Sequence, residues 1–151
     1  MDMIRLALLL SLVAGCAAAP PSDVAPYADL LKGATELTIR SGGLCHRTPA
    51  EERTLLTVTD AAEIRKVADC FKIPPPPRDL IRCRCCGDPT LEFFKGDTLL
   101  VAIGLHHGVL IRSEAVGDEE LTLPSAEALC RWLADHGIPE PEESRRRLRD
   151  R

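Results

Sequence analysis

From Glu36 to Arg40 apolar and polar side chains alternate, with Leu37 and Ile39 on one side and Thr38 and Arg40 on the other. That is the period of a half-buried strand. A second strand is predicted over Thr54 to Thr59, with Leu56 and Val58 inward. The period then changes. Asp60 stands as a helix cap with Glu63 three positions on, the pattern of a capping box, and Ile64, Val67, Ala68 and Phe71 recur at helical spacing. This helix must stop by Ile73, because Pro74 to Pro77 cannot continue it and instead form a stiff extended connector.

Beyond the prolines the pattern is that of a meander. Strands are predicted over Leu80 to Cys86, Thr90 to Lys95, Thr98 to Gly104 and Val109 to Arg112, with Gly96 and Asp97 as a two-residue hairpin turn. Leu99, Val101 and Ile103 share one face. A last helix runs from Leu123 to Asp135 after a cap at Thr122, with Ala126, Leu129 and Leu133 as its buried stripe, Trp132 beside it, and Gly137 and Pro139 ending it. A short helix is expected near Pro26 to Lys32. The resulting fold class is α+β: a mostly antiparallel sheet of five or six strands with a helix packed on one face and a C-terminal helix.

The N-terminus follows a different logic. Met1 to Arg5 is a charged start, Leu6 to Val13 is almost wholly apolar, and Ala14, Gly15 and Cys16 follow. The apolar run is shorter than the roughly 20 residues that span a bilayer and fits a secretory leader. Leu12, Val13, Ala14, Gly15 and Cys16 resemble the lipobox of bacterial lipoproteins. The resemblance implies acylation of Cys16, cleavage before it, and a lipid anchor in the cell envelope. Ala17 in place of an aspartate after the cysteine implies the outer membrane. The resemblance thus implies a signal peptide over residues 1–15, and 16–25 are expected to be a small, flexible tether. Removing 15 of 151 residues leaves 136, enough for one domain with one core. That domain is expected over residues 26–138. Residues 139–151 are read as a charged, solvated tail in which Arg145, Arg146, Arg147, Arg149 and Arg151 alternate with Glu142, Glu143 and Asp150.

A net charge of −4 argues against nucleic acid as a partner, which needs a basic face to neutralise phosphates. Aromatic residues make up only 3% of the chain, so stacking platforms for bases or sugars are scarce. There is no phosphate-cradling glycine loop and no His-Glu-x-x-His run. The paired carboxylates Glu51 with Glu52 and Glu119 with Glu120 are expected in solvated loops. Cys85 beside His106 or His107 is the one nucleophile and base pairing that can be written. No catalytic residue is assigned. The expectation is a non-enzymatic, membrane-anchored domain without a cofactor, binding something in the envelope, such as a protein partner.

Seven cysteines, less Cys16 if it is acylated as the resemblance implies, leave six: Cys45, Cys70, Cys83, Cys85, Cys86 and Cys130. In an oxidising compartment an even number is first read as disulfides. The expected bridge runs from Cys70 to the cluster at Cys83 to Cys86, with Cys45 as the next partner and Cys130 as a small core residue. The alternative is a zinc or copper site. On a strand, Cys83 and Cys85 would point to one face with α-carbons about 6.6 Å apart, and His106 or His107 could add an imidazole. A redox-active thiol pair is the third reading. The run Cys83 to Gly87, Leu91 to Phe94, Gly96, and Leu105 to Gly108, with Leu129, Trp132, Leu133, His136 and Gly137, resembles a group of small bacterial proteins with a Cys-x-Cys, strand, turn, strand, His-His-Gly pattern. That resemblance implies no particular activity, and the extra Cys86 departs from it.

Overall fold

The computed structural model describes residues 23–44, 52–75 and 83–150. The leader, Cys16 and nearly all of the tether therefore lie outside the described residues, as do Cys45 and residues 76–82. The elements in chain order are β1 (Glu36–Arg40), β2 (Thr54–Val58), α1 (Ala61–Ala68), β3 (Thr90–Lys95), β4 (Thr98–His106), β5 (Leu110–Ser113), β6 (Gly117–Glu120), α2 (Leu123–Asp135) and α3 (Glu140–Arg149). The six strands form one antiparallel sheet in the order β2-β1-β3-β4-β5-β6. The fold is α+β.

Register decides which side chains meet. Leu37 lies opposite Phe93 and Ile39 opposite Leu91; Leu91 in turn faces Ile103, and Phe93 faces Val101. All six are buried, together with Leu105 and Ile111, and they share one core with Ile64 and Val67 of α1 and Ala126, Leu129, Trp132 and Leu133 of α2. Because side chains alternate across a strand, the neighbours of these residues define a second face: Thr38, Arg40, Glu92, Gly104, His106 and Arg112. Glu92 is buried there and accepts a 2.9 Å hydrogen bond from Nε of Arg40.

Two chain segments cover the second face. Gly42 accepts from the Thr90 hydroxyl at 2.8 Å and donates its N–H to Asp88 at 3.0 Å. Gly43 presses so closely on the 83–88 segment that a Cβ there would lie 1.9 Å from the Cys86 carbonyl oxygen. No larger residue fits between the two segments.

Several expectations need correction. Residues 26–33 form turns, with Leu31 N–H bonded to Tyr27 O at 2.9 Å, rather than a helix. Asp60 caps α1 by accepting from the Ala62 and Glu63 N–H groups. The reciprocal half of the capping box is missing, because the Glu63 carboxylate is taken by Lys66 and by the indole N–H of Trp132. Leu99 is 46% exposed, and the buried row on β4 is Val101, Ile103 and Leu105. The four-residue strand β6 carries no apolar alternation and forms by pairing with β5. The strand expected over Leu80 to Cys86 is absent from its described part: residues 83–86 are held by side-chain bonds instead of a strand ladder.

The segment read as a solvated tail is α3, which packs on α2. Glu140, Glu142 and Glu143 occupy its first turn and Arg146, Arg147 and Arg149 its last, each charge matched to the nearer end of the helix dipole. Arg145 is only 6% exposed and reaches Glu142 at 3.0 Å and Glu127 of α2 at 3.3 Å. Among the described residues no helix is long and apolar enough to cross a membrane.

Candidate metal centre

His106 is the last residue of β4 and faces the second side of the sheet, where it is 2% exposed. His107 begins the turn to β5 with a left-handed backbone, φ 53°, which throws its exposed ring outward beside the covering segment. Opposite them, residues 83–85 are fastened by Arg112 of β5. Its Nη2 donates to the Cys83 carbonyl at 2.8 Å and its Nη1 to the Cys85 carbonyl at 3.0 Å. Asp118 of β6 pairs with the same guanidinium through Nε and, at 2.9 Å, through Nη2.

This clamp turns both cysteine side chains to one point. The two sulfurs are 2.8 Å apart. Cys85 Sγ lies 3.1 Å from His106 Nδ1 and 3.4 Å from His107 Nε2, and Cys83 Sγ lies 3.2 Å from the same His107 nitrogen. Cys83, Cys85 and His106 have donor atoms all within 4.8 Å of one another, a group able to hold a metal ion. Thus the four residues named from the sequence as metal ligands meet in one place, although on a loop and a turn rather than on a strand.

The site's surroundings shape its protonation. The hydrogen bond shared with the Cys85 thiol lowers the Cys83 pKa, helped by the Cys85 N–H at 3.4 Å. Burial raises that of Cys85, and the bond with Cys83 raises it further. Burial first, and then the positive charge of Arg112, lower the pKa of His106, so its ring is neutral near pH 7. His106 Nε2 is buried without a hydrogen-bond partner among the described residues. Its ring is oriented by packing: a Cβ on Gly87 would lie 2.8 Å from Cδ2 and 2.9 Å from Nε2, and Gly87 has φ +73°, a conformation glycine adopts without strain.

No protein family, curated protein or solved structure matches the chain. The site must therefore be judged by its own chemistry.

The remaining cysteines separate cleanly from the cluster. Cys70 and Cys130 are buried free thiols whose Sγ atoms point at the carbonyls of Lys66 and Gly108, each at 3.3 Å. Burial pushes their pKa up to about 11 and about 12, which leaves them inert thiols. Cys83 and Cys85 are also free thiols, so the bridge expected from Cys70 to the cluster does not form. The reason is location: Cys70 sits in the helix-side core and the Cys83 to Cys85 segment on the opposite face of the sheet. Cys86 lies outside the four-residue cluster and is disulfide-bonded.

Beside the cluster, Cys85 and His107 form part of the wall of an open groove of about 500 Å³ that also carries Arg53, Ser144 and Arg147. Solvent thus reaches the cluster from the His107 side while His106 closes it from the sheet side. Two participants were missed in the sequence. Arg112 was counted only as the end of a strand, and Gly87 only as part of a motif. The alternation that puts Ile111 in the core also puts Arg112 on the second face, and that was the available signal.

Proposed function

We propose that this protein is a bacterial envelope lipoprotein, anchored by acylation of Cys16, whose folded domain binds one zinc ion through Cys83, Cys85, His106 and His107. The observation that carries the metal reading is the convergence of two sulfurs and two imidazole nitrogens from separate segments within hydrogen-bonding range. Zinc takes sulfur at about 2.3 Å and nitrogen at about 2.0–2.1 Å in a tetrahedron, which sets sulfur–nitrogen edges near 3.6 Å and a sulfur–sulfur edge near 3.8 Å. The sulfur–nitrogen contacts of 3.1–3.4 Å are already close to that. The sulfur pair, at 2.8 Å, must open by about 1 Å, within reach of a small side-chain rotation.

Two thiolates and two neutral imidazoles are the donor set of a tetrahedral zinc site, whereas carboxylate and water suit magnesium or calcium. A nucleophilic role for Cys85 is less well supported. It needs a third group to orient the histidine, and His106 Nε2 has no such partner among the described residues.

The test is metal binding by the purified, reduced chain, with zinc and copper(I) titrated separately. The expected result is one zinc per chain, and cobalt(II) substitution that yields a sulfur-to-metal charge-transfer band lost in Cys83→Ser and Cys85→Ser. Absence of zinc binding at micromolar concentration, with the fold intact by circular dichroism, overturns the reading. Incorporation of labelled palmitate into the wild type and its loss in Cys16→Ser tests the anchor separately.

A further inference from the structure

We infer that Cys83 and Cys85 also form a reversible disulfide with one another, and that this bond and the zinc ion exclude each other, so that an external disulfide discharges the metal. The inference rests on the zinc reading and adds to it a means of control.

Geometry carries the inference. In extended chain the α-carbons of residues two apart are separated by about 6.6 Å and their side chains stand parallel. Here the segment is bent over Arg112, which holds the carbonyl of each cysteine, and the sulfurs come to 2.8 Å. A disulfide needs about 2.05 Å, so closing it takes a movement of under about 1 Å. Metal coordination demands movement of the same size in the opposite direction, to about 3.8 Å. The resting pair thus lies between its two bonded states. The same sulfur lone pairs serve both, so one state is lost when the other forms.

Access is equally selective. Cys83 and Cys85 are partly exposed, whereas Cys70 and Cys130 are buried and bonded to backbone carbonyls on other parts of the fold. Cys86 is already disulfide-bonded. Among the described cysteines the only thiols that a soluble oxidant meets are the two at the metal site.

The chemistry balances as a thiol–disulfide exchange. One cysteine thiolate attacks a sulfur of a low-molecular-weight disulfide RSSR, forming a mixed disulfide and expelling RS⁻. The other thiolate attacks the protein sulfur of that mixed disulfide, closing the Cys83–Cys85 bond and expelling the second RS⁻. The pair loses two electrons, RSSR gains them and takes up two protons as two RSH, and zinc leaves with only the two imidazoles to hold it.

The test uses the full chain, reduced and loaded with one equivalent of zinc, exposed to oxidised glutathione. Released zinc is followed with a chromophoric chelator and thiols by alkylation and intact mass. The expected result is zinc release in step with loss of two alkylatable thiols, mapped by peptide mass to a Cys83–Cys85 bond, and recovery of binding on reduction. Zinc release without that bond, or the bond with zinc retained, overturns the inference. His107→Ala removes the exposed imidazole only. It should hold zinc at least tenfold more weakly and oxidise correspondingly faster, and an unchanged oxidation rate sinks the mutual exclusion. A chain that binds zinc yet never forms the bond defeats this inference alone. One that forms the bond but binds no zinc when reduced defeats the metal function itself.

Discussion

Arg112 grips Cys83 by its backbone: the Nη2 group donates to the Cys83 carbonyl at 2.8 Å while Asp118 fixes the far side of the guanidinium. The position of the first sulfur is thus set by a residue of β5 that would never touch the metal. Replacing Arg112 with Met should weaken zinc binding by about tenfold to a hundredfold, the usual cost of losing an outer support. Arg112→Lys should recover little, since an ammonium cannot repeat the two-pronged donation. Competition against a chromophoric chelator measures both, and affinity within twofold of wild type would show that the clamp is dispensable.

Gly87 is the second support. A methyl group there would meet the His106 ring at 2.8 Å and the Leu105 carbonyl at 3.0 Å, on a backbone with φ +73°. Gly87→Ala should cost about 1–3 kcal/mol in urea unfolding, and zinc affinity should fall with it as the imidazole is pushed aside. Unchanged stability would mean that the segment yields without strain.

The zinc-free chain should become less stable as pH falls below neutrality. The folded pKa of His106 lies below its ordinary value of 6.5, for burial and then Arg112 oppose its charge. Between those two pKa values the unfolded chain binds the extra proton and the folded chain does not, so stability rises with pH across that window and is lost on descending through it. Urea midpoints at pH 7.5 and 5.5 should differ in the wild type, and the difference should shrink in His106→Phe. Zinc affinity should fall in the same direction, because protons compete for the thiolates.

Arg145 tests whether α3 is part of the domain. It is buried between Glu142 of its own helix and Glu127 of α2. Arg145→Ala should cost about 1–2 kcal/mol, less than a fully buried pair because Glu127 is partly solvated. A loss under about 0.3 kcal/mol in urea unfolding would mark α3 as a detachable appendage.

The elements legible in the sequence were those with a strong period. β1, β3 and α2 fall where alternation or helical spacing placed them, since each buries one face against the same core. What escaped was structure made by polar bonds. β6 is Gly-Asp-Glu-Glu and exists because β5 offers it a ladder. Arg146, Arg147 and Arg149 are exposed, as a charged run implies, but Arg145 is buried, and spacings of three and four from Glu142 pair Arg145 and Arg146 with it along a helix. At the site, the residue types were readable and the backbone was not. Cys-x-Cys spacing predicts a strand because alternation puts such a pair on one face, whereas Arg112 holds the carbonyls of Cys83 and Cys85 and bends the segment instead.

The proposed ligands come from residues 83–85 and 106–107, which belong to different layers: a covering segment and the rim of the sheet. An ion bound between them would act as a staple across that seam. Whatever binds only the folded form stabilises it by mass action, by about 2.7 kcal/mol at a hundredfold excess over Kd. Thermal unfolding should therefore climb with zinc concentration, and the peeling of the 83–88 flap should become as slow as the departure of the metal.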